Sequence, residues 1–354
     1  MNLLLNKPAA TMRPLLRRAV LALLFLAAVP VAYAATLDAP ADSVTHHQFQ
    51  LGDASVAFTA TAATLPLTDD KGERQAGMFY VAYTRDEANA ERRPITFVFN
   101  GGPGSSSAYL HLGALGPRIV SFGPQGQMPA PAAKLVDNPD HWLDLTDLVF
   151  IDPVGTGYSR AVGDAGKRYW GVKEDLASIA TFIDRYLTAA GRRASPKYLT
   201  GESYGGFRAA RLPEVLADDH NITVAGVFLV SPVLEFSLIA DDSLALLPDV
   251  LRLPSYAAVR LEQSGASTRE TLDEVERFAL GPYLTALAAS PRNDAVMQGI
   301  YAEVARHTGV PLAVIAQHDG RLPLGVFAKE ARRPDKLLIS RYDGSVTGPD
   351  PYPD

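Results

Sequence analysis

Residues 197–206 have the sequence Lys-Tyr-Leu-Thr-Gly-Glu-Ser-Tyr-Gly-Gly, which decides the fold. Lys197–Thr200 is a short strand pattern, and a helical pattern begins at about Gly206. The residues between them match G-x-S-x-G, a sharp strand-to-helix turn that exposes the hydroxyl of Ser203. Glycines two residues before and after the serine prevent clashes between the turn and its neighbours. The context predicts a nucleophilic serine, and the alternative is a plain turn with Ser203 as a helix N-cap.

Other predicted strands also end in glycine-rich loops. Ile95–Phe99 is an apolar strand typical of burial on both faces, and residues 100–104, Asn-Gly-Gly-Pro-Gly, follow it. Further strands are predicted at Gly77–Thr84, Leu148–Ile151 and Val224–Val230, and a helix at Val172–Leu187. This alternation predicts the α/β class: a mostly parallel sheet flanked by helices, with the active site at the carboxyl ends of its strands.

The rest of the chain suggests further segments. We expect a linker at 35–45, the N-terminal part of the α/β core at 46–234, and a helical insertion at 235–331 that covers the sheet. The insertion would follow the fourth-to-fifth core strands and precede a tail at 332–354. Helical patterns cover Arg269–Ala288 and Asp294–Arg306, and we expect the prolines of this region to break it into short pieces: Pro248, Pro254, Pro282, Pro291 and Pro311.

The N-terminus has the pattern of a secretory signal peptide. A basic lead precedes the apolar run Ala19–Val29, and Ala32-Tyr33-Ala34 offers small residues at a cleavage site. A buried or membrane helix is the alternative, but the apolar run is too short to span a bilayer comfortably and ends at Pro30. We therefore expect a signal peptide over residues 1–34 and no membrane association after its cleavage. Because the chain has no cysteine, export to a bacterial periplasm or exterior is favoured over a eukaryotic secretory route.

The composition limits the partners and cofactors. A net charge of −6 argues against binding to nucleic acid, because no excess of positive charge displaces counterions from phosphates. We expect no metal and no cofactor, and the sequence predicts no oligomeric state. The glycine loop at 100–104 lacks the lysine of a phosphate-binding loop. It is better suited to supply a backbone N–H to an oxyanion, and we assign the two donors to Gly102 and Tyr204.

Three segments together resemble the serine carboxypeptidase family, which has the α/β-hydrolase fold. They are residues 100–107, 152–159 and 201–206, and the resemblance covers roughly residues 70 to 235. It implies an exopeptidase that removes the C-terminal residue of a peptide or protein through an acyl-enzyme on Ser203. The absence of cysteine indicates a bacterial member.

The resemblance also implies a site for the terminal carboxylate of the substrate. Asn100 and Glu202 would bind it, with the N–H of Gly101 helping. A glutamic acid donates a hydrogen bond to a carboxylate only while it is protonated, which favours work at acidic pH. Ala114 stands where the family often has a second Glu, so a strongly acidic optimum is not expected. The alternative for Glu202 is a structural carboxylate at the turn.

The catalytic Asp and His of a triad remain unassigned. His220, His307 and His318 are the histidines after Ser203, and we expect them to be surface or capping residues. Asp319 and Asp343 precede glycines and are expected in turns. We therefore expect a C-terminally truncated chain of low activity. An esterase or acyltransferase on the same scaffold and a non-catalytic peptide-binding remnant remain open alternatives.

The cleavage site gives a first prediction. The exported protein should begin at Ala35, because signal peptidase requires the small residues of Ala32-Tyr33-Ala34. N-terminal sequencing of protein recovered outside the cytoplasm checks this expectation. Recovery of Met1 at the N-terminus of the exported form would contradict it.

Overall fold

The computed structural model describes residues 40–86, 89, 91–123, 133–239 and 245–353. From Ala41 onward the chain forms one compact unit. The predicted signal peptide and the first residues of the predicted linker, 35–39, lie outside the described residues.

A mixed sheet forms the centre of this unit. Its strands lie in the order β1-β2-β3-β7-β4-β9-β10, and β8 pairs with β3. Their bounds are β1 Ser43–Leu51, β2 Ala54–Thr68, β3 Arg74–Arg85, β4 Ile95–Phe99, β7 Asp147–Ile151, β8 Arg160–Ala161, β9 Lys197–Glu202 and β10 Gly226–Val230. Two small hairpins lie outside the sheet: β5 Arg118–Val120 with β6 Leu135–Asp137, and β11 Leu337–Ile339 with β12 Thr347–Pro349.

The sheet confirms the predicted α/β class, with a larger antiparallel part than expected. Strands β7, β4, β9 and β10 are parallel, whereas β1, β2 and β3 are antiparallel neighbours. The boundary of the predicted linker is wrong, since β1 already begins at Ser43. The first residues of the predicted core, 46–62, lie in parts of two long paired strands, β1 and β2.

The two central strands are buried on both faces, as their apolar sequences predict. Every residue of β4 and β7 is buried. Phe97 and Phe99 of β4 pack into one core cluster, while Val98 packs into another that includes Phe150 of β7. This alternation anchors β4 from two sides and fixes where the following glycine loop begins.

Helices flank the sheet and continue beyond it. The helices α1 to α9 are Ala108–Leu110, Val172–Ala189, Tyr204–His220, Leu247–Gln263, Arg269–Phe278, Leu284–Ala288, Asp294–Thr308, Leu312–Gln317 and Leu324–Glu330. π-helical turns at His111–Leu115 and Ala279–Tyr283 follow α1 and α5, and 3-10 turns occupy Trp142–Asp144, Gly163–Tyr169, Phe236–Leu238 and Arg333–Asp335. No helix of the described ranges is long and apolar enough to cross a bilayer.

The helices from α4 onward have a core of their own, which includes Val250, Val304 and Phe327. That they cover the sheet stays a prediction. The prolines break this region less than expected. Pro254 lies inside α4, and Pro282 lies inside the π-helical turn that joins α5 to α6.

The last strand of the sheet leaves an apolar edge exposed. β10 pairs with β9 on one side, and among the described residues no strand pairs with its other side. Its residues Val227, Phe228, Leu229 and Val230 are between 38% and 45% exposed. An unprotected apolar edge strand is a template for pairing with another chain.

The exposed edge predicts self-association. The protein should form concentration-dependent oligomers, and Leu229→Lys should shift them towards monomer because a charge on an edge strand opposes strand pairing. Sedimentation velocity over a concentration series measures this shift. Leu312→Lys, at a position that is 45% exposed on α8, is the matched control and should change nothing. Equal association of wild type and Leu229→Lys would contradict the edge explanation.

Candidate active site

Ser203 occupies the sharp turn that the sequence predicts. β9 ends at Glu202, α3 begins at Tyr204, and Ser203 between them has φ 58° and ψ −121°. A residue with a side chain adopts this conformation only under constraint. The N–H of Ser203 donates to Val230 O at 3.0 Å, and its carbonyl accepts from the N–H of Gly206 at 2.9 Å. These bonds hold the strained residue in place.

The glycines around Ser203 have no room for a side chain. A Cβ on Gly201 would lie 1.8 Å from the carbonyl oxygen of Gly205. A Cβ on Gly205 would lie 2.5 Å from the carbonyl oxygen of Phe99 and 2.8 Å from that of Asn100. The close approach joins the start of α3 to the end of β4, so the glycines are needed for packing between the two loops as well as for the turn itself.

The glycine loop after β4 lies directly against the serine turn, because β4 and β9 are adjacent in the sheet. A Cβ on Gly101 would lie 2.6 Å from the nitrogen of Tyr204 and 2.9 Å from Cβ of Ser203. Gly102 has φ +104°, a conformation that favours glycine. The structure thus brings Gly101, the residue before the assigned donor Gly102, beside Ser203 and the second assigned donor, Tyr204.

Asn100 and Glu202 also meet at this site. Asn100 is 1% exposed, and its Nδ2 donates to Oε2 of Glu202 at 3.2 Å. Its Oδ1 accepts from the N–H of Leu110 at 2.9 Å, which fixes the orientation of the amide. Within the described ranges, no second carboxyl group hydrogen-bonds to Glu202, in agreement with Ala114 at the position of the family's second Glu.

The loop after β7 is tied to the glycine loop through Asp152. Oδ1 of Asp152 accepts from the N–H of Ser107 at 2.8 Å. Burial raises the pKa of Asp152, and hydrogen bonds from the N–H groups of Ser107 and Tyr158 oppose that rise. Gly157, at φ +47°, approaches this carboxylate so closely that a Cβ there would collide with Oδ2. The sequence connects this loop to the site only through the family resemblance. In the structure Asp152 joins the loop to the segment that follows β4.

A cavity of about 270 Å³ opens between these two loops and α3. Its lining includes Gly104, Gly155, Trp170 and Tyr204, together with the ion pair of Asp175 and Arg208. Asp175 and Arg208 were not predicted as site residues. No local sequence pattern could have found them, because Asp175 on α2 and Arg208 on α3 are 33 residues apart and meet only in the fold.

In the part of the chain that the structure describes, no histidine forms a hydrogen bond with Ser203. Among the described residues, the side chain of Ser203 makes no hydrogen bond. His220 ends the 17-residue helix α3, roughly 24 Å along the axis from Tyr204, and its Nδ1 lies 3.4 Å from Oδ2 of Asp184. His318 caps α8.

His307 corrects one expectation, because it is neither a surface nor a capping residue. It is 7% exposed inside α7, its ring packs against Phe278, and burial lowers its pKa. Asp319 has φ 54° directly after the end of α8, and Oδ1 of Asp343 accepts from the N–H of Ser345 at 2.9 Å. Both are turn residues, as predicted.

The site has the geometry of an α/β-hydrolase: a strained serine between strand β9 and helix α3, beside a glycine loop from the neighbouring parallel strand.

Comparisons with known proteins agree on one family. A model described as serine carboxypeptidase matches residues 65–235. "Serine carboxypeptidase-like 35" of Arabidopsis thaliana is 31% identical over 41% of this chain and 29% of that protein. "Serine-type carboxypeptidase F" of Aspergillus niger is 36% identical over 32% of this chain and 19% of that protein. Residues 65–235, just under half of the chain, are therefore similar to the serine carboxypeptidase family.

The alignments span about a third or less of these relatives' lengths. Among solved structures, "Bacterial Heroin Esterase" is similar with a TM-score of 0.31 and 16% identity, over 64% of this chain and 54% of that one. A hyperthermophilic esterase from Pyrobaculum calidifontis has a TM-score of 0.30 at 16% identity, over 65% and 62%.

The geometry of the turn predicts the reactivity of Ser203. A fluorophosphonate should label Ser203 slowly, roughly 10³-fold or more below the rate of a complete triad, because no described histidine takes the proton. Ser203→Ala should abolish labelling, and Ser105→Ala is the matched control in the glycine loop. Mass spectrometry of the labelled peptides checks the position. Labelling that persists in Ser203→Ala would place the nucleophile elsewhere.

Proposed function

We propose that this chain carries the substrate-binding and nucleophilic part of a serine-type carboxypeptidase that acts on peptide and protein C-termini. One observation carries the proposal: Asn100 and Glu202 are hydrogen-bonded to each other beside Ser203. A buried amide and a carboxyl group that has no cationic partner among the described residues can together receive a carboxylate, provided that the carboxyl group is protonated. An ordinary ester substrate has no group that needs this pair.

Each site residue has a role in the proposed reaction. Asn100 Nδ2, the N–H of Gly101 and protonated Glu202 donate to the terminal carboxylate and place the last peptide bond at Ser203. Oγ of Ser203 bonds to the carbonyl carbon and gives its proton to a base, while the N–H groups of Gly102 and Tyr204 stabilise the oxyanion. The C–N bond then breaks, the leaving amine takes a proton, and water hydrolyses the resulting ester. The base and its orienting acid stay unassigned.

Two other functions remain as alternatives. An esterase or acyltransferase would use the same acyl-enzyme step, but it gives Asn100 and Glu202 no task in recognition. A protein that binds peptide C-termini without turnover is supported by the lack of a histidine partner for Ser203 among the described residues. For this chain we propose binding with low turnover, since the oxyanion hole and binding alone supply about 10³–10⁴-fold acceleration over water.

Location is part of the proposal. The sequence of the N-terminal segment supports export to a bacterial periplasm or exterior, where the C-termini of peptides would be the substrates. We propose no nucleic acid, metal or cofactor for the reaction.

Carboxylate recognition can be tested without turnover. At acidic pH the protein should bind an N-blocked dipeptide about tenfold or more tightly than the same compound with a C-terminal amide. The preference depends on a hydrogen bond that Glu202 donates, because a carboxylate accepts hydrogen bonds but cannot donate one. Glu202→Gln keeps an N–H donor at every pH, so its preference should persist at neutral pH. Isothermal titration calorimetry across the pH range measures both proteins.

The matched control is Glu214→Gln, an exposed carboxyl group on α3 that pairs with Arg211. It should follow the wild-type pH profile. Equal binding of the acid and the amide by the wild type would refute carboxylate recognition and leave an esterase as the better assignment. A Glu202→Gln profile identical to that of the wild type would remove Glu202 from the site.

A further inference from the structure

Arg208 is an unusual residue for the place it occupies. It lies on α3, one turn beyond Tyr204, and is only 2% exposed although it carries a full charge. Its Nε donates to Oδ2 of Asp175 at 2.7 Å, and its Nη2 donates to Oδ1 at 3.2 Å. A buried ion pair of this kind is weak evidence for stability, because desolvation of the charges offsets their attraction. A role in the candidate active site explains the buried Arg208–Asp175 pair better than a contribution to stability does.

The remaining nitrogen of the guanidinium, Nη1, contacts the glycine loop. Nη1 of Arg208 donates to the carbonyl oxygen of Asn100 at 2.8 Å. Because Asp175 takes Nε and Nη2, the planar guanidinium has one orientation, and Nη1 is directed at this carbonyl. Asp175 lies in the first turn of α2, so the pair connects two helices to the loop after β4.

This hydrogen bond sets the direction of a neighbouring donor. In a trans peptide the C=O and the following N–H point to opposite sides of the chain. With the carbonyl of Asn100 held by Arg208, the N–H of Gly101 is directed away from Arg208. The side chain of Asn100 is fixed separately by the N–H of Leu110 and by Glu202.

The same guanidinium supports the second loop of the site. Cζ of Arg208 lies 4.7 Å from the centroid of the Tyr204 ring, a cation–π distance. Tyr204 contributes the N–H that is assigned to the oxyanion. One buried charge therefore contacts both the loop that recognises the carboxylate and the residue after the nucleophile.

We infer that Arg208, held by Asp175, is a positioning residue that aims the N–H of Gly101 at the substrate carboxylate and steadies Tyr204. The inference rests on the proposed carboxylate site. Arg208 touches no substrate in this role. It acts through the orientation of the Asn100–Gly101 peptide and through the ring of Tyr204.

The test measures the preference for a peptide acid over its amide, with the N-blocked dipeptide pair as probes. The double variant Asp175→Asn with Arg208→Met leaves no unpaired buried charge, so it is expected to fold. It should lower the acid-over-amide ratio about tenfold, since the Gly101 donor is no longer aimed. Arg208→Lys keeps the charge but lacks the planar fork, and it should lower the ratio as well. Thermal unfolding monitors the fold of each variant.

Arg211→Met is the matched control, since Arg211 lies on the same helix with a side chain that is 53% exposed. It should retain the wild-type ratio. A folded double variant or Arg208→Lys protein with the wild-type ratio would overturn the positioning role while leaving the proposed function intact. A wild-type protein that binds the acid and the amide equally would overturn both the positioning role and the proposed function. The Glu202→Gln profile, measured separately, tells this failure apart from a failure of the positioning role alone.

Discussion

The structure of the site depends on the close approach of two backbone turns that leave no space for side chains between them. Ser203 is held at φ 58° where the ends of β4 and β9 meet the start of α3. Gly101 lies against the turn at Ser203, and Gly205 lies against the end of β4. At both glycines the backbone of the other segment is too close for a Cβ atom. The strain at Ser203 is of order 1–3 kcal/mol, and it persists because hydrogen bonds to Val230 and Gly206 over-determine the turn. Because β4 is buried on both faces, its position is fixed, and so is the point at which the glycine loop meets the serine turn.

Buried polar groups then fix the direction of each loop. Asp152 accepts a hydrogen bond from the N–H of Ser107 and so connects the loop after β7 to the glycine loop. Asp175 and Arg208 tie α2 and α3 to Asn100. Each of these groups costs free energy to desolvate, and each is compensated by hydrogen bonds from the elements that it joins. The proposed recognition at Asn100 and Glu202 and the proposed chemistry at Ser203 therefore share one hydrogen-bonded support.

The sequence predicts the parts of this arrangement that depend on local pattern. The apolar runs of β4 and β7 and the glycine spacing around Ser203 identify the parallel strands, the turn and the loop that carries Asn100. The antiparallel hairpin of β1 and β2 was harder to recognise, because its alternation is weak in a Thr- and Ala-rich segment. Pro254 was expected to break a helix, yet α4 runs through it, since tertiary packing outweighs local preference there. Arg208 and Asp175, 33 residues apart, are joined only by the fold, so no local pattern reveals them.

A crystal structure of the phosphonylated protein would show whether Ser203 is the nucleophile and whether Gly102 and Tyr204 hold the oxyanion. We expect a covalent bond from Oγ of Ser203 to phosphorus, with one phosphonyl oxygen within hydrogen-bond distance of the N–H groups of Gly102 and Tyr204. The backbone of Asn100–Gly101 should keep the orientation that Arg208 gives it. An adduct on Ser203 whose oxygen points away from both N–H groups, or an adduct on another residue, would contradict the account.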